Sequence, residues 1–198
     1  MVFCDRAAGR PKRLGILPGT FNPVTVAHLA LAQAALEHVD EIVFVLPRVF
    51  PHKTYTGASF DDRVEMLRLA AAGNAAYSIA IAEGGLFVEI ARECREAYGD
   101  HVRLAFLCGR DAAERIAGWD YGRPGAFADM LREFDLLVAP RDGAYDPPAE
   151  FSAAVKCLNI DSVDAVSATE VRERIARGDP WEHLVPPAIR ARARNIYR

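Results

Sequence analysis

Two apolar patterns alternate along the chain. Leu14–Leu17, Glu41–Leu46 (EIVFVL), Arg103–Cys108 (RLAFLC) and Phe134–Ala139 (FDLLVA) are short runs with continuous rather than alternating apolar residues. Such runs predict strands buried on both faces of a sheet. Ser78–Ala82 is a weaker run of the same kind, and Val155–Ile160 predicts a sixth strand. The intervening segments carry helical spacing. Val26–Glu37 has it at Leu29, Leu36 and the alanines, Asp61–Ala72 follows Ser59 as N-cap, and Leu86–Tyr98 stops at Gly99. Two further helices are predicted near Ala168–Arg177 and Pro187–Ile196.

Strand and helix in alternation predict an α/β fold with a doubly wound, mostly parallel sheet of five or six strands, Rossmann-like in layout. No linker, repeat or composition shift divides residues 14–198, so they are expected to form one domain. A chain of 198 residues can bury roughly 70% of its unfolded surface, enough for a core without staples. Residues 1–13 are basic and lack the apolar stretch of a secretory leader, and are expected to be a flexible tail.

Charge and cysteine content narrow the function. The 24 basic and 27 acidic residues give a formal net charge of −3, which argues against a general nucleic-acid binder. Any phosphate recognition must come from a local site. No apolar stretch approaches the length of a membrane span. Cys4, Cys94, Cys108 and Cys157 contain no C-x-x-C unit, so zinc is not expected. They are expected to be reduced, mostly buried thiols in a cytoplasmic protein.

Ligands in doubly wound sheets bind beyond the carboxyl ends of the strands. The first predicted strand is followed by GTFNPVTVAH, Gly19 to His28. Gly19 permits a tight turn, Asn22-Pro23 favours a turn before a helix, and Thr25 is a natural N-cap. His28 then falls in the first helical turn, beside free N–H groups at a positive helix end, which is an anion site. Ser167-Ala168-Thr169-Glu170 has capping-box spacing, and Arg172 follows in the same first turn. A guanidinium there can take phosphate oxygens with a planar fork. Each string alone is also compatible with nothing more than a capped helix.

GTFNPVTVAH resembles the phosphate-binding motif G-T-F-D-P-x-[HT]-x-G-H of the nucleotidylyltransferase superfamily, and Val166–Arg172 (VSATEVR) resembles its second motif, I-S-S-T-x-x-R. Within that superfamily the chain is most similar to bacterial nicotinate mononucleotide adenylyltransferases. The similarity extends to Pro51-His52-Lys53 with RVEMLRL from Arg63, to CGRD from Cys108 with Trp119, and to HLVP from His183. The sequence departs from the pattern at Asn22, Thr25, Ala27 and Ala168. Thr25 is the variant of phosphopantetheine adenylyltransferases. The largest departure is GLFVEIA, Gly85 to Ala91, where the nicotinate family has S-Y-T-x-D-T-L.

The resemblance implies transfer of AMP from ATP to the phosphate of a pyridine mononucleotide, with release of pyrophosphate, in NAD biosynthesis. It implies catalytic roles for His28, Thr25, Lys53 and Arg172. ATP would lie against Gly19, Thr20, Phe21, Gly109, Asp111, Ser167 and Thr169, and the acceptor against Asn22, Trp119 and Phe87. Mg2+ would come with ATP, held by phosphate and water rather than by protein. Three placements stay open at this stage. Lys53 is a site residue or a surface lysine, Asp111 a ribose acceptor or a helix-start carboxylate, and Trp119 a base-stacking or a core residue. Transfer to phosphopantetheine or another phosphorylated acceptor, and a non-catalytic nucleotide-binding protein, are the alternatives. The partners implied are small molecules, with homo-oligomerisation left open. His38, His101 and His183 are expected to be surface or structural, and Arg190, Arg192, Arg194 and Arg198 to cover a solvated helix face.

Overall fold

The structure, a computed structural model, describes residues 1–49, 57–118, 122–140, 147–160 and 166–198. In chain order the strands are β1 (Val2–Asp5), β2 (Arg13–Pro18), β3 (Glu41–Pro47), β4 (Tyr77–Ala82), β5 (Arg103–Gly109), β6 (Phe134–Ala139) and β7 (Val155–Cys157). The helices are α1 (Val26–Ala35), α2 (Phe60–Ala71), α3 (Phe87–Tyr98), α4 (Arg110–Ala117), α5 (Ala126–Glu133), α6 (Ala168–Arg177) and α7 (Arg190–Ile196). The strands form one sheet in the order β1-β4-β3-β2-β5-β6-β7. All neighbours are parallel except β1, which runs antiparallel to β4.

Side chains alternate across the sheet with period two, and each face is covered. Ile42, Phe44 and Leu46 of β3 point into one layer with Leu31 of α1, Met66 and Leu67 of α2, Val171 of α6 and Ala193 of α7. Val43 and Val45 point into the other with Ile90 of α3, Ala113 of α4 and Leu131 of α5. Both layers are anchored by fully buried rings, Phe21 and Phe44 on one side and Phe106 and Phe134 on the other. Each such ring stabilises the fold by roughly 1.5–3 kcal/mol relative to exposure.

Four features differ from the sequence reading. Residues 2–5 are not part of a loose tail but form the edge strand β1, which adds a strand to the five or six expected. The stretch Arg110–Glu133 holds α4 and α5, each eight residues long, where no helix was expected. The last strand is only Val155–Cys157. Pro187–Ile189 is a separate 3-10 turn ahead of α7. Among the cysteines, Cys94 and Cys108 are buried and burial pushes their thiols up to about 12, while Cys157 is exposed. Among the described residues, no helix is long and apolar enough to cross a membrane.

Candidate active site

The strand order reverses at β2, which has β3 on one side and β5 on the other. Loops leaving the carboxyl ends of β2 and β5 therefore part in opposite directions, opening the crevice where such sheets bind ligands. The loop after β2 is Gly19–Thr25, and β5 ends at Gly109. The two predicted nucleotide-binding stretches thus meet at the switch point.

The Gly19–Thr25 loop is fixed from several directions. Gly19 donates its N–H to the Val45 carbonyl at 3.0 Å. A Cβ on Gly19 would stand 2.8 Å from the Phe21 ring, so glycine is required there. Phe21 itself adopts φ 46°, its ring is fully buried, and the Asn22-Pro23 peptide is cis. The Phe21 ring contacts His28 edge-on at 5.2 Å and Phe44 at 5.9 Å. Its side chain braces the loop from within the core, so contact with nucleotide at this position would fall to its backbone.

Thr25 is the N-cap of α1 and has no solvent exposure. Its backbone N–H donates to His28 Nδ1 at 3.0 Å, and its Oγ1 lies 2.8 Å from the same nitrogen. A backbone N–H can only donate, so Nδ1 must accept. In the neutral ring the proton is therefore on Nε2, and the Thr25 hydroxyl also donates to Nδ1. The sequence reading gave Thr25 a catalytic contact of its own. With its hydroxyl committed to the imidazole and closed to solvent, it sets the orientation and tautomer of His28 instead.

The second motif lies on the same layer. Ser167 caps α6 by accepting from the Glu170 N–H at 3.1 Å, and Gly178 ends the helix in the left-handed region. Arg172 Nη1 donates to the carbonyls of Asn22 at 2.6 Å and Ala168 at 3.2 Å, and Nη2 donates to Thr169 Oγ1 at 3.1 Å. These bonds use three of the five guanidinium donors and tie the two motifs together. Asn22 is buried, and its Oδ1 accepts from the Tyr197 hydroxyl at 2.6 Å.

The remaining predicted residues divide. Asp111 is an exposed carboxylate in the first turn of α4, with Gly109 as its N-cap and open space where a Cβ would stand. The resemblance places Phe87 against the acceptor; its half-buried ring stacks on Phe106 at 4.3 Å, meets Phe134 edge-on and packs against the opposite core layer. Lys53, with Pro51 and His52, and Trp119 lie outside the described residues.

A family model for cytidylyltransferase-like proteins matches residues 16–174. The chain belongs to the cytidylyltransferase-like family. It is a nucleotidyltransferase, and similar proteins span nearly all of it. A probable nicotinate-nucleotide adenylyltransferase of Gloeobacter violaceus is 33% identical, over 90% of this chain and 91% of that protein. One from Moorella thermoacetica is 29% identical over 96% and 93%. A solved nicotinic acid mononucleotide adenylyltransferase of Plasmodium falciparum, complexed with NaAD, shares the fold at a TM-score of 0.68. It is 18% identical and each chain is 93% covered.

Two residues of this nucleotidyltransferase escaped the sequence reading as site members. Arg63 of α2 is buried and donates through Nη1 to the Thr20 carbonyl at 3.1 Å, inside the first motif. Its signal was available: it shares a helical stripe with Met66, Leu67 and Ala71, where a charge is out of place. Tyr197 lies one turn beyond the buried Ala193 and shows no such anomaly, since tyrosine is at home on a buried stripe.

Proposed function

We propose that this chain transfers the AMP unit of ATP to the phosphate of nicotinate mononucleotide, forming the dinucleotide and pyrophosphate. The supporting observation is His28, oriented by Thr25 at the start of α1 and joined through Asn22 and Arg172 to the second motif. In this reading an acceptor phosphate oxygen attacks the α-phosphorus of ATP. A phosphorus–oxygen bond forms on one side as the bond to the leaving pyrophosphate breaks on the other. No protein nucleophile is needed, so catalysis is positioning and charge stabilisation. His28 contributes the Nε2–H donor, which strengthens as charge moves onto the phosphate oxygens; one such donor is worth about 3–4 kcal/mol in the transition state. The positive start of α1 and the charges of Arg63 and Arg172 behind the loop favour the triphosphate.

Among the described residues no three His, Cys, Asp or Glu side chains cluster to hold a metal ion. A Mg2+ brought in with the triphosphate would be held by phosphate and water and would supply charge neutralisation. Asp111, in the first turn of α4 after β5, would accept from a ribose hydroxyl at the edge of the crevice.

A pyrophosphate-release assay with ATP or CTP tests this against nicotinate mononucleotide, nicotinamide mononucleotide and phosphopantetheine. ATP with a pyridine mononucleotide is expected to give the highest kcat/KM. A higher value for phosphopantetheine, or for CTP, would overturn the reading.

A further inference from the structure

We infer that Tyr197 is a positioning residue for this reaction, acting through Asn22 on the loop that carries His28; the inference rests on the function proposed above.

The contact is built from both sides. Tyr197 is the C-cap of α7, its N–H bonded to the Ala193 carbonyl at 3.0 Å and the residue 9% exposed. Its hydroxyl donates to Asn22 Oδ1 at 2.6 Å, where Asn22 is only 5% exposed. Gly57, at φ 101°, passes over the ring so closely that a Cβ there would stand 3.0 Å from it. Glycine at this position is what lets the chain pass so close to the ring.

The hydroxyl is available as a donor throughout the neutral range. Burial raises its pKa well above that of free tyrosine, and the opposing pull of Arg172 and Arg63 is smaller. Arg172 bonds the carbonyl of the same Asn22 whose side chain takes the Tyr197 hydroxyl, so Tyr197 sits among the residues that grip the first motif.

Asn22 is the junction through which this can act. Its side chain takes the Tyr197 hydroxyl, its carbonyl takes Arg172, and three residues later Thr25 holds His28. Without the hydroxyl, Oδ1 loses a short buried hydrogen bond in a place closed to water, and the loss of such a bond favours rearrangement of the side chain that made it. Rearrangement of Asn22 moves the loop between His28 and Arg172. Displacement of about 1 Å in such a frame can cost on the order of a hundredfold in rate.

A double-mutant cycle with Tyr197→Phe and Asn22→Ala in the full chain tests this, with circular dichroism and Tm beside the kinetics. Each single change is expected to lower kcat by about tenfold with KM for ATP altered by less than about threefold. The double variant is expected to be no worse than Asn22→Ala, because both break the same bond. A purely structural role would lower Tm and leave kcat per folded molecule intact, which overturns the inference, as would losses that multiply. Asn22→Ala breaks the bond from its other end, so a poorly folding Tyr197→Phe leaves that arm readable. Wild-type turnover separates this from the proposed function. An inert wild type sinks the latter, and the cycle is then read on the Tm rise given by ATP, where non-additivity supports the role of Tyr197 and additivity overturns it.

Discussion

Arg172 and Asn22, 150 positions apart, meet in a 2.6 Å hydrogen bond from a guanidinium nitrogen to a backbone carbonyl. That bond makes one site of two motifs. The first supplies a helix start and an imidazole, the second a helix start and the arginine that reaches back to hold the first.

Arg172→Lys should impair both activity and stability although the charge is kept. One ammonium cannot hold the Asn22 and Ala168 carbonyls and the Thr169 hydroxyl in the same geometry. A kcat at least about tenfold lower is expected, with Tm lower by a few degrees. Steady-state kinetics and a thermal melt check both, and wild-type values in each would show that the brace is idle.

His28→Ala should lower kcat by about a hundredfold or more and leave KM for ATP less affected, since its hydrogen bond matters most as charge moves. Retention of more than about a third of wild-type kcat would remove His28 from transition-state stabilisation.

Thr25→Val separates the two donors to Nδ1. The backbone N–H remains and still fixes the tautomer, while the hydroxyl is lost. A kcat decrease of about threefold to tenfold is expected, matching one hydrogen bond of roughly 0.5–1.5 kcal/mol. A loss as deep as that of His28→Ala would mean that valine displaces the ring.

Acceptor selectivity should be modest. The segment Gly85–Phe87 offers no hydroxyl, and the Phe87 ring is committed to a stack on Phe106. The N–H groups of Glu83 and Gly84 are taken by Glu93 and that of Leu86 by Glu89. Few donors are left there to single out a carboxylate. Nicotinate and nicotinamide mononucleotides should differ in kcat/KM by less than about a hundredfold. A preference for nicotinate beyond about a thousandfold would show that another segment supplies its partners.

Alkaline stability should fall above the ordinary tyrosine value of 10.0. Burial raises the pKa of Tyr197 and of Tyr98, whose hydroxyl also donates to the buried Glu41. A group raised in the folded state stabilises it fully below its unfolded pKa, and that contribution is lost as pH rises through the folded value. Denaturant melts across this range should show declining stability, less steep in Tyr197→Phe. An unchanged slope in that variant would indicate that Tyr197 ionises without unfolding.

Much of the frame is local and therefore readable from the chain. Buried strands need unbroken apolar runs, and Glu41–Pro47 shows one. Helix starts need side-chain acceptors, and Ser59 and Ser167 provide them in sequence. Thr25 and His28 are three residues apart, so their partnership was within reach of helix geometry. The edge strand Val2–Asp5 was not, because an apolar run as short as Val2–Cys4 becomes a strand only through its pairing with β4. Phe87 shows why side-chain roles stayed open: an aromatic at a helix start suits a ligand wall or a core, and only its stack on Phe106 decides. Arg63 with Thr20, Arg172 with Asn22, and Tyr197 with Asn22 depend on strand order and helix placement, which no local pattern encodes. The residues with phosphate chemistry were set by the sequence itself. Which of them face the crevice and which hold the others in place was settled by tertiary structure, because a buried donor is committed to whichever acceptor the packed fold brings within reach.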